Sequence, residues 1–402
     1  MPSALSAARA GEPLLQEGYR RAVALLRRNS TPAGILACTP GEKAAGRHYI
    51  SIFGRDAAIC ALGMAASEEP DLIAAAEAGL RTLARHQAAN GQIPKYVKPE
   101  TGEADFWYSG CIDATLWWLI AVHSLGKRSS NALPQELATA TERALNWLHC
   151  QEHPEWRLLQ QNEASDWADI MPRSGFVLYS NALWYWVKRL YKLPGEKTTR
   201  AYANDLFYPY GNSVPGHRRA RLLVHYIRNR SKPSPFYLSF VNFSFWGEEQ
   251  DILGNLLAAL TGLADDSRSV RIAEGIKAAA IAKPWPVRVV GRPIGRDDVL
   301  WRRYMQRHEQ NYPFQYHNGG CWPFAGGFWA LLLHRLGWRN QGWQALEQLA
   351  AANQVGGWGF NEWLHGESGE PLGMPGQSWN AALYILARQA LGDKNNFLRF
   401  SS

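Results

Sequence analysis

Residues 109–122 read Ser-Gly-Cys-Ile-Asp-Ala-Thr-Leu-Trp-Trp-Leu-Ile-Ala-Val, a glycine-containing loop that runs into an apolar helix. From Ala114 to Val122 the helix carries apolar residues on nearly every face, which is typical of a helix packed on both sides. A loop of Gly, aromatic and polar residues runs into an apolar helix six times along the chain, and charged residues gather at these junctions. The junctions are 53–56, 109–113, 166–169, 246–251, 316–320 and 359–377.

Apolar periodicity at i, i+3, i+4 and i+7 predicts a run of helices, whereas alternating strand patterns are scarce. The predicted helices span 12–29, 57–67, 70–89, 113–126, 134–151, 178–192, 195–205, 249–264, 266–282, 323–336, 339–353 and 377–391. Long loops rich in Gly and aromatic residues precede every second helix. Twelve helices in six hairpins predict an all-α fold, an (α/α)6 toroid whose even-numbered helices form the inner ring. The active site is then expected at the mouth formed by the long loops.

A single domain over residues 1–402 is expected because no linker interrupts the pattern, although the length alone would allow two or three domains. The segment 206–247 fits the helical scheme least well. It holds a candidate helix at 218–230 and a candidate short strand at 236–243. We interpret this segment as an irregular excursion over the mouth of the ring.

The chain has a net charge of +8, and its arginines are concentrated in 217–232 and 288–307. Basic stretches of this kind can meet nucleic acid or an acidic membrane surface. They do not form a recognisable nucleic-acid module here, so we expect a solvated arm or an oligomer contact, with neither nucleic acid nor membrane as a partner. The 18 tryptophans serve either core packing or stacking against the apolar face of a sugar ring.

The cysteines number five, and none of their spacings is typical of a zinc knuckle or a redox pair. We expect them to be small core residues in a reducing compartment. Charged residues, Gly and Pro interrupt the apolar residues near the start of the sequence, and no window approaches the roughly 18 apolar residues of a membrane span. A cytoplasmic location is the default expectation. The cysteines are Cys38, Cys60, Cys111, Cys150 and Cys321.

Two carboxylates at different junctions suggest hydrolysis of a glycosidic bond, which requires one acid to protonate the leaving oxygen and a second carboxylate on the opposite face. The pair lies about 6.5 to 9.5 Å apart if the second group activates water, and about 5 to 5.5 Å apart if it attacks carbon. Asp113 opens an inner helix, where it is either a general acid or an N-cap. Glu362 lies in the loop 356–366, whose Gly and Trp content favours a functional carboxylate.

Other junctions supply candidate sugar contacts. Asp56 can bind sugar hydroxyls, although a contact with Arg55 that only stabilises the ring is an equal alternative. A second polar cluster consists of Asp166, Asp169 and Arg173. The acids at 248, 249 and 251 precede an inner helix, where first-turn acids are favoured by the helix dipole, so no functional role is expected for them.

The motif 316–323, Tyr-His-Asn-Gly-Gly-Cys-Trp-Pro, combines three hydrogen-bonding side chains with a flexible turn and a helix-starting Pro. We interpret His317 as a ligand contact. No His or carboxylate pair stands at ligand spacing on one helix face, which argues against a metal site. Phosphate-binding glycine loops and a serine nucleophile elbow are not visible. We therefore expect no metal and no organic cofactor.

These motifs resemble the (α/α)6 glycosidases that include the neutral/alkaline invertases and the amylo-α-1,6-glucosidase domain of glycogen debranching enzymes, over about residues 47–391. Arg55-Asp56 resembles the Arg-Asp that opens the first inner helix in both families. Residues 112–117 are similar to the debranching Val-Asp-Ala-Thr-Leu-Trp, and 316–323 to the invertase Tyr-His-Asn-Gly-Gly-Ser-Trp-Pro. The resemblance implies that Asp113 is the general acid and that Glu362 is the catalytic base.

The sequence also departs from both families. The invertase Trp-Pro-Glu-Tyr-Tyr-Asp is replaced by Phe-Asn-Glu-Trp-Leu-His at 360–365, and debranching enzymes carry additional domains. Residues 367–371 are closer to the debranching branch. We therefore expect an inverting glycoside hydrolase that cleaves an α-glucosidic bond in an oligosaccharide. The expected substrate-binding residues are Arg55, Asp56, Trp107, Asp166, Asp169, Arg173, Tyr316, His317, Asn318, Trp322, Trp358, Trp363 and Gln377.

Three alternatives stay open at this point. The first is a neutral/alkaline invertase that hydrolyses sucrose. The second is a sugar epimerase or isomerase on the same fold, which would use a histidine pair to move a proton, and only His317 and His365 stand at predicted mouth loops. The third is a non-catalytic carbohydrate-binding scaffold. A small-molecule or oligosaccharide substrate is the expected partner, and a homo-oligomer is also left open.

Overall fold

The computed structural model describes residues 11–107, 110–127, 132–211 and 213–392, so Ser109 of the second junction lies outside the described residues. A 3-10 helix spans Arg303–Glu309. The α-helices are α1 (Glu12–Asn29), α2 (Glu42–Gly46), α3 (Gly54–Ser67), α4 (Pro70–Arg85), α5 (Ile112–Gly126), α6 (Ala132–Glu136), α7 (Ala138–Cys150), α8 (Leu178–Tyr191), α9 (Glu196–Phe207), α10 (Arg218–Arg228), α11 (Ile252–Leu260), α12 (Asp266–Ala278), α13 (Pro323–Arg335), α14 (Arg339–Trp358) and α15 (Ser378–Leu391).

Six of these helices form a closed inner ring. In the order α3, α5, α8, α11, α13 and α15, each helix packs against the next, and α15 packs against α3. The helices α1, α4, α7, α9, α12 and α14 lie outside the ring and pack against its members. The predicted all-α toroid is confirmed, with the predicted helices in the inner and outer positions.

The inner helices form because they can be buried on every side. Every residue of α3 is buried, and in α5 only His123 is not. Outer helices such as α4 bury a single face, as expected for an amphipathic helix with one side in water. The tight contact between α3 and α15 requires Gly63, since a Cβ there would lie 2.1 Å from the carbonyl oxygen of Ala382.

Short strands fix the entry of the long loops into the inner helices. β3 runs directly into α3, and β7 runs directly into α8. The order β3-β4-β5 forms one antiparallel sheet and β6-β7-β8 another. The strands are β1 (Ser30–Thr31), β2 (Gly34–Ile35), β3 (Ile52–Phe53), β4 (Tyr96–Val97), β5 (Ala104–Asp105), β6 (Gln160–Gln161), β7 (Gly175–Val177), β8 (Phe240–Val241), β9 (Trp363–Leu364) and β10 (Pro371–Leu372).

The structure differs from the predicted elements in several places. The helix predicted at 134–151 is divided into α6 and α7, and α11 is shorter than the predicted 249–264. The helix α14 continues beyond 353 only through a kink at Val355, Gly356 and Gly357, where the backbone leaves helical angles. The helix α2 and the 3-10 helix were not predicted, because short loop helices carry no apolar period.

The excursion predicted at 206–247 contains a helix, as its pattern indicated, but very little strand. The candidate helix at 218–230 is α10, and the candidate strand at 236–243 is reduced to β8. The helix α10 packs against α9. Its position over the mouth of the ring stays a prediction.

The cysteines follow the predicted core pattern with one exception. Four of them are buried, whereas Cys150 is exposed at the end of α7, so the core interpretation is wrong for Cys150. The reason is that α7 is an outer helix and Cys150 lies on its solvent side. Within the described residues, no helix is both long enough and apolar enough to cross a bilayer.

Candidate active site

Asp113 lies in the first turn of α5 and is completely buried. Its carboxylate does not cap the helix, since Cys111 occupies the N-cap position. Instead, Arg55 Nη1 lies 3.2 Å from Asp113 Oδ2, and the hydroxyl of Tyr179 donates to the same oxygen at 3.0 Å. The thiol of Cys111 donates to Oδ1 at 3.2 Å. Side chains from α3 and α8 therefore contact this carboxylate, and the N-cap alternative is wrong.

Arg55 connects two carboxylates at the start of α3 and α5. Its Nε lies 3.6 Å from Asp56 Oδ2, in addition to its contact with Asp113. Burial raises the pKa of Asp56 to about 6, against the opposing effect of Arg55. The contact between Arg55 and Asp56, which the sequence offered as an alternative, is therefore present. The pKa of Asp56 nevertheless stays near 6, so this carboxyl group can exchange a proton close to neutral pH.

Glu362 lies in the loop before α15 and is 3% exposed. The hydroxyl of Tyr49 donates to its Oε1 at 2.6 Å, and the backbone N–H of Met374 donates to its Oε2 at 3.0 Å. Burial raises the pKa of Glu362 to about 7, and these two hydrogen bonds oppose the increase. A carboxyl group with this pKa can act as an acid or a base near neutral pH.

The two predicted catalytic carboxylates belong to one electrostatic group, in which Asp56 is the link. Besides burial, the charge of Asp113 raises the pKa of Asp56, and the charge of Asp56 raises the pKa of Glu362. The three groups come from α5, from α3 and from the loop before α15, which are consecutive members of the ring. Asp56 is thus close enough to both of the other carboxyl groups for their charges to interact.

A cavity of about 690 Å³ opens at this end. Three predicted site residues, Trp107, Asp169 and Tyr316, line its wall. Tyr49 also lines it, so the carboxyl of Glu362 is one hydrogen bond away from the cavity wall. Neither Asp113 nor Glu362 is itself part of the lining.

Asp169 is fixed to the wall by a cation. Lys95 Nζ lies 3.0 Å from Asp169 Oδ2 and 3.4 Å from the ring centroid of Trp107. Burial raises the pKa of Asp169, but the charge of Lys95 and its hydrogen bond outweigh burial, so that the net pKa is below its ordinary value. An ionised acceptor therefore stands at the mouth beside an aromatic ring.

The motif 316–323 forms an aromatic layer beneath the cavity. The rings of His317 and Trp322 stack with centroids 5.2 Å apart, and the ring of Tyr316 lies 4.0 Å from that of His317. Burial lowers the pKa of His317 to about 3, so its imidazole is neutral at physiological pH. His317 Nδ1 lies 3.9 Å from Asp169 Oδ1.

Several buried polar atoms around this centre have no hydrogen-bond partner within the part of the chain that the structure describes. They come from the segments that start α3, α13 and α15. Buried polar groups are normally hydrogen-bonded, so a ligand that carries several hydroxyl groups suits this arrangement. The atoms are Asp56 Oδ2, His317 Nδ1, Trp363 Nε1 and Gln377 Nε2.

Three predicted contact residues use their polar groups inside the protein. The amide of Asn318 bonds the backbone N–H and carbonyl of Ile294, at 2.8 and 2.9 Å. The carboxylate of Asp166 accepts hydrogen bonds from Gln161 and from the backbone of Ala168. None of these groups lines the cavity.

The third such residue is Arg173, which forms a buried ion-pair group with two acids that were expected to have no functional role. Its guanidinium lies 3.5 Å from Glu249 and 3.3 Å from Asp251. Burial raises the pKa of Asp251 to about 6 against the effect of Arg173. The three charges lie between the loops before α8 and α11, so they connect two loops of the mouth.

The remaining predicted contacts do not line the cavity. Trp363 is buried in β9, and Gln377 is the N-cap residue of α15. Trp358 is half-buried at the end of α14. His365, the second histidine of the epimerase alternative, accepts hydrogen bonds at Nδ1 from its own loop and does not line the cavity.

The sequence did not indicate Tyr49, Tyr179 or Lys95 as site residues. Tyr179 lies in the first turn of α8, at the same helical level as Asp113 in α5, and this shared level is the signal that was available. Tyr49 and Lys95 lie in long loops whose course depends on the closed ring. No local pattern distinguishes them from other polar loop residues.

Comparison with known proteins gives a partial family match and a shared fold. Residues 240–394 match the family model described as alkaline and neutral invertase, a segment that includes Glu362 and the 316–323 motif. None of the curated proteins matches the chain.

The fold is similar to that of solved glycosidase structures. A mannosylglycerate hydrolase from Thermus thermophilus in complex with glucose has 14% identity and a TM-score of 0.65, over 92% of this chain and 99% of that chain. A bacterial glucoamylase complexed with acarbose has 13% identity and a TM-score of 0.64, over 97% of this chain and 57% of that chain. Together with the family match, this fold makes the chain a glycoside hydrolase of the (α/α)6 type. The resemblance to invertases is confirmed over 240–394, whereas the likeness to debranching enzymes stays a prediction.

Proposed function

We propose that the chain is an inverting glycoside hydrolase that cleaves an α-glucosidic bond in an oligosaccharide, with Asp113 as general acid and Glu362 as general base. The observation that supports this proposal most is the electrostatic group formed by Asp113, Asp56 and Glu362 at the start of consecutive ring segments. The raised pKa of Glu362, about 7, suits a base because proton transfer is most efficient when the pKa lies near the operating pH.

In the proposed reaction, the carboxyl group of Asp113 gives its proton to the glycosidic oxygen as the bond to the anomeric carbon breaks. A water molecule on the opposite face of the sugar attacks that carbon and loses a proton to Glu362. The products are a free sugar of inverted configuration and the alcohol that departs. The proton then returns from Glu362 to Asp113 through solvent, which restores the starting state.

Proton NMR of the first turnover tests the stereochemistry. An α-glucoside substrate is expected to release β-glucose first, because water attacks the face opposite the leaving group. The α-anomer should appear only later, through mutarotation. Initial release of α-glucose would contradict the role of Glu362 as a base, since it would require a covalent intermediate.

Sucrose hydrolysis is the second candidate, and the match of residues 240–394 to the invertase family favours it. Sucrose also contains an α-glucosidic bond, so the same carboxylates would serve. Fructose release from sucrose, compared with glucose release from isomaltose or branched maltodextrin, separates the two substrates directly.

Replacing Tyr49 with Phe tests whether Glu362 is the general base, because the change should shift the pKa of Glu362. The hydrogen bond from Tyr49 lowers that pKa from the value that burial alone would give. Because a hydrogen bond to a charged group contributes about 1.5–3 kcal/mol, its loss should raise the pKa by about one to two units. A base must be ionised to act, so kcat/KM should rise with pH through about 7 in the wild type, and this rise should move to higher pH in Tyr49→Phe.

The matched control is Tyr96→Phe, since Tyr96 lies in β4 and does not line the cavity. It should leave the pH profile unchanged. A wild-type kcat/KM that falls with pH through the same range would assign Glu362 as the acid and reverse the two roles.

A further inference from the structure

A second recess lies beside the mouth of the ring, and we call it the aromatic cleft. Its volume is about 340 Å³, within the range of roughly 300–1,000 Å³ that is typical of small-molecule sites. The helix α10 contributes Tyr226, the loop before α11 contributes Phe245 and Trp246, and the loop 292–300 closes the opposite side. We propose that the aromatic cleft binds the distal sugar units of a neutral oligosaccharide whose scissile bond lies in the active-site cavity. This inference rests on the proposed function.

The side chain of Arg302 contacts one residue of the cavity wall and one residue of the aromatic cleft. On one side, Arg302 Nε lies 3.3 Å from Oε1 of Glu163, which lines the cavity. On the other side, the guanidinium carbon lies 5.6 Å from the ring centroid of Phe245 in the cleft. Glu163 also accepts a hydrogen bond from Tyr304, another residue of the cavity wall. In the proposal, sugar units that leave the cavity past Glu163 continue along Arg302 to the aromatic cleft.

The lining combines aromatic surface with carboxylates, as a sugar site requires. The rings of Tyr226 and Trp246 meet edge to face with centroids 5.7 Å apart, and Arg230 packs over Tyr226 and fixes its orientation. Aromatic faces accept the C–H face of a pyranose much as they accept other apolar groups. Trp246 Nε1 donates to Glu248 Oε1 at 3.3 Å, so the indole and a carboxylate are already positioned together.

Glu249 supplies a second polar group that is set into the cleft wall. It is 4% exposed and lines the cleft. Its carboxylate oxygens make no hydrogen bond within the described residues, and the ion pair with Arg173 is long, at 3.5 Å. Sugar hydroxyls can donate to such an acceptor, whereas an apolar ligand would leave it unsatisfied.

The charge of the lining argues for a neutral ligand. In the described part of the lining, three acids, Glu248, Glu249 and Asp298, face a single cation, Arg292. A phosphate or a carboxylate would meet more negative than positive charge here, despite the basic face of the neighbouring α10. A neutral oligosaccharide is therefore favoured over an anionic ligand.

The test compares Tyr226→Ala and Trp246→Ala with Phe243→Ala. Tyr226 is 42% exposed, so Tyr226→Ala should leave the core intact. It therefore tests the cleft even where Trp246→Ala disturbs folding. Phe243 is the matched control, since it is 94% exposed and lies outside the cleft lining. Binding of branched maltodextrin and of isomaltose is measured by calorimetry in the inactive Glu362→Gln background, and KM is measured in the active enzyme.

We expect both cleft variants to raise Kd and KM for branched maltodextrin about tenfold, which corresponds to about 1.4 kcal/mol. The values for isomaltose and for Phe243→Ala should not change, because a disaccharide does not reach the cleft. Equal effects on both sugars, or no effect on either, would overturn the cleft assignment.

The same measurements separate the cleft from the proposed function. Maltodextrin binding that depends on Tyr226, without turnover of any glycoside, would remove the hydrolase proposal and keep the cleft as a sugar site. Turnover with a Kd that does not depend on Tyr226 would remove the cleft alone.

Discussion

Glu362→Gln is expected to lower kcat by roughly 10²- to 10⁴-fold on an oligosaccharide substrate, which is the range of a general base. An amide cannot take the proton from the attacking water. Gln keeps the shape of Glu: its amide oxygen can accept from the backbone N–H of Met374, and its NH2 can donate to the hydroxyl of Tyr49, which reverses the direction of that hydrogen bond. The loss should therefore appear in kcat rather than in the folded structure.

The stability of this variant should stay the same or increase. The pKa of Glu362 is raised in the folded protein, to about 7, so ionisation of this carboxyl destabilises the folded state at every pH above its unfolded pKa. Replacement by a neutral amide removes that unfavourable charge. A thermal unfolding midpoint at pH 8 that is equal to or above that of the wild type would agree with this reasoning.

The matched control for Glu362→Gln is Glu367→Gln, an exposed carboxylate in the same loop. It should retain wild-type kcat. Near-normal turnover in Glu362→Gln would remove Glu362 from the reaction.

The toroid was predictable from the sequence because its inner helices are apolar on all sides and its long loops recur before them. The stretch after Asp113 shows this pattern most clearly, and α5 begins within one residue of the predicted start. The short helix α2 was not predictable, because a five-residue loop helix carries no apolar period. The kink at Val355 lies just after the predicted helix end at 353, and Gly356 and Gly357 adopt a positive φ there.

The positions of the carboxylates were easier to predict than their surroundings. The junction pattern placed Asp113 and Glu362 at the mouth, since every inner helix begins there. It did not show that Tyr179 and Tyr49 would bind them, because those contacts join segments that are 66 and 313 residues apart in the sequence.

Residue type alone also could not separate ligand contacts from structural contacts. Asn318 was a candidate for binding sugar, yet its amide bonds the backbone of Ile294. Arg173 was another candidate, and it pairs with Asp251. A polar side chain in a loop motif can bond either a neighbouring loop or a ligand. Which of the two it bonds depends on how the neighbouring loop folds against it.

Asp113→Asn is expected to slow hydrolysis of an oligosaccharide by roughly 10²- to 10⁴-fold, since an amide cannot protonate the leaving oxygen. Glucosyl fluoride has a leaving group that departs without a proton, so its hydrolysis should change by less than about tenfold in the same variant. The variant should also be less stable by about 1–3 kcal/mol, because the single amide oxygen of Asn cannot accept all the hydrogen bonds that Arg55, Tyr179 and Cys111 donate to the two oxygens of Asp113. Chemical denaturation measures the loss in the free energy of unfolding. The ratio of kcat on the oligosaccharide to kcat on glucosyl fluoride measures the contribution of proton donation.

The control for this prediction is Asp166→Asn, which also changes a buried carboxylate near the same end of the ring. Asp166 bonds Gln161 and the backbone of Ala168, so its loss should reduce stability. Any effect on rate should be the same for the oligosaccharide and for glucosyl fluoride, because Asp166 donates no proton to a leaving group in the proposed reaction. Dependence on the leaving group thus separates an acid from a carboxylate that only holds the ring. If Asp113→Asn slowed both substrates equally, Asp113 would be a structural partner of Arg55, and the acid would have to be sought among other buried carboxyl groups at this end of the ring, such as Asp56.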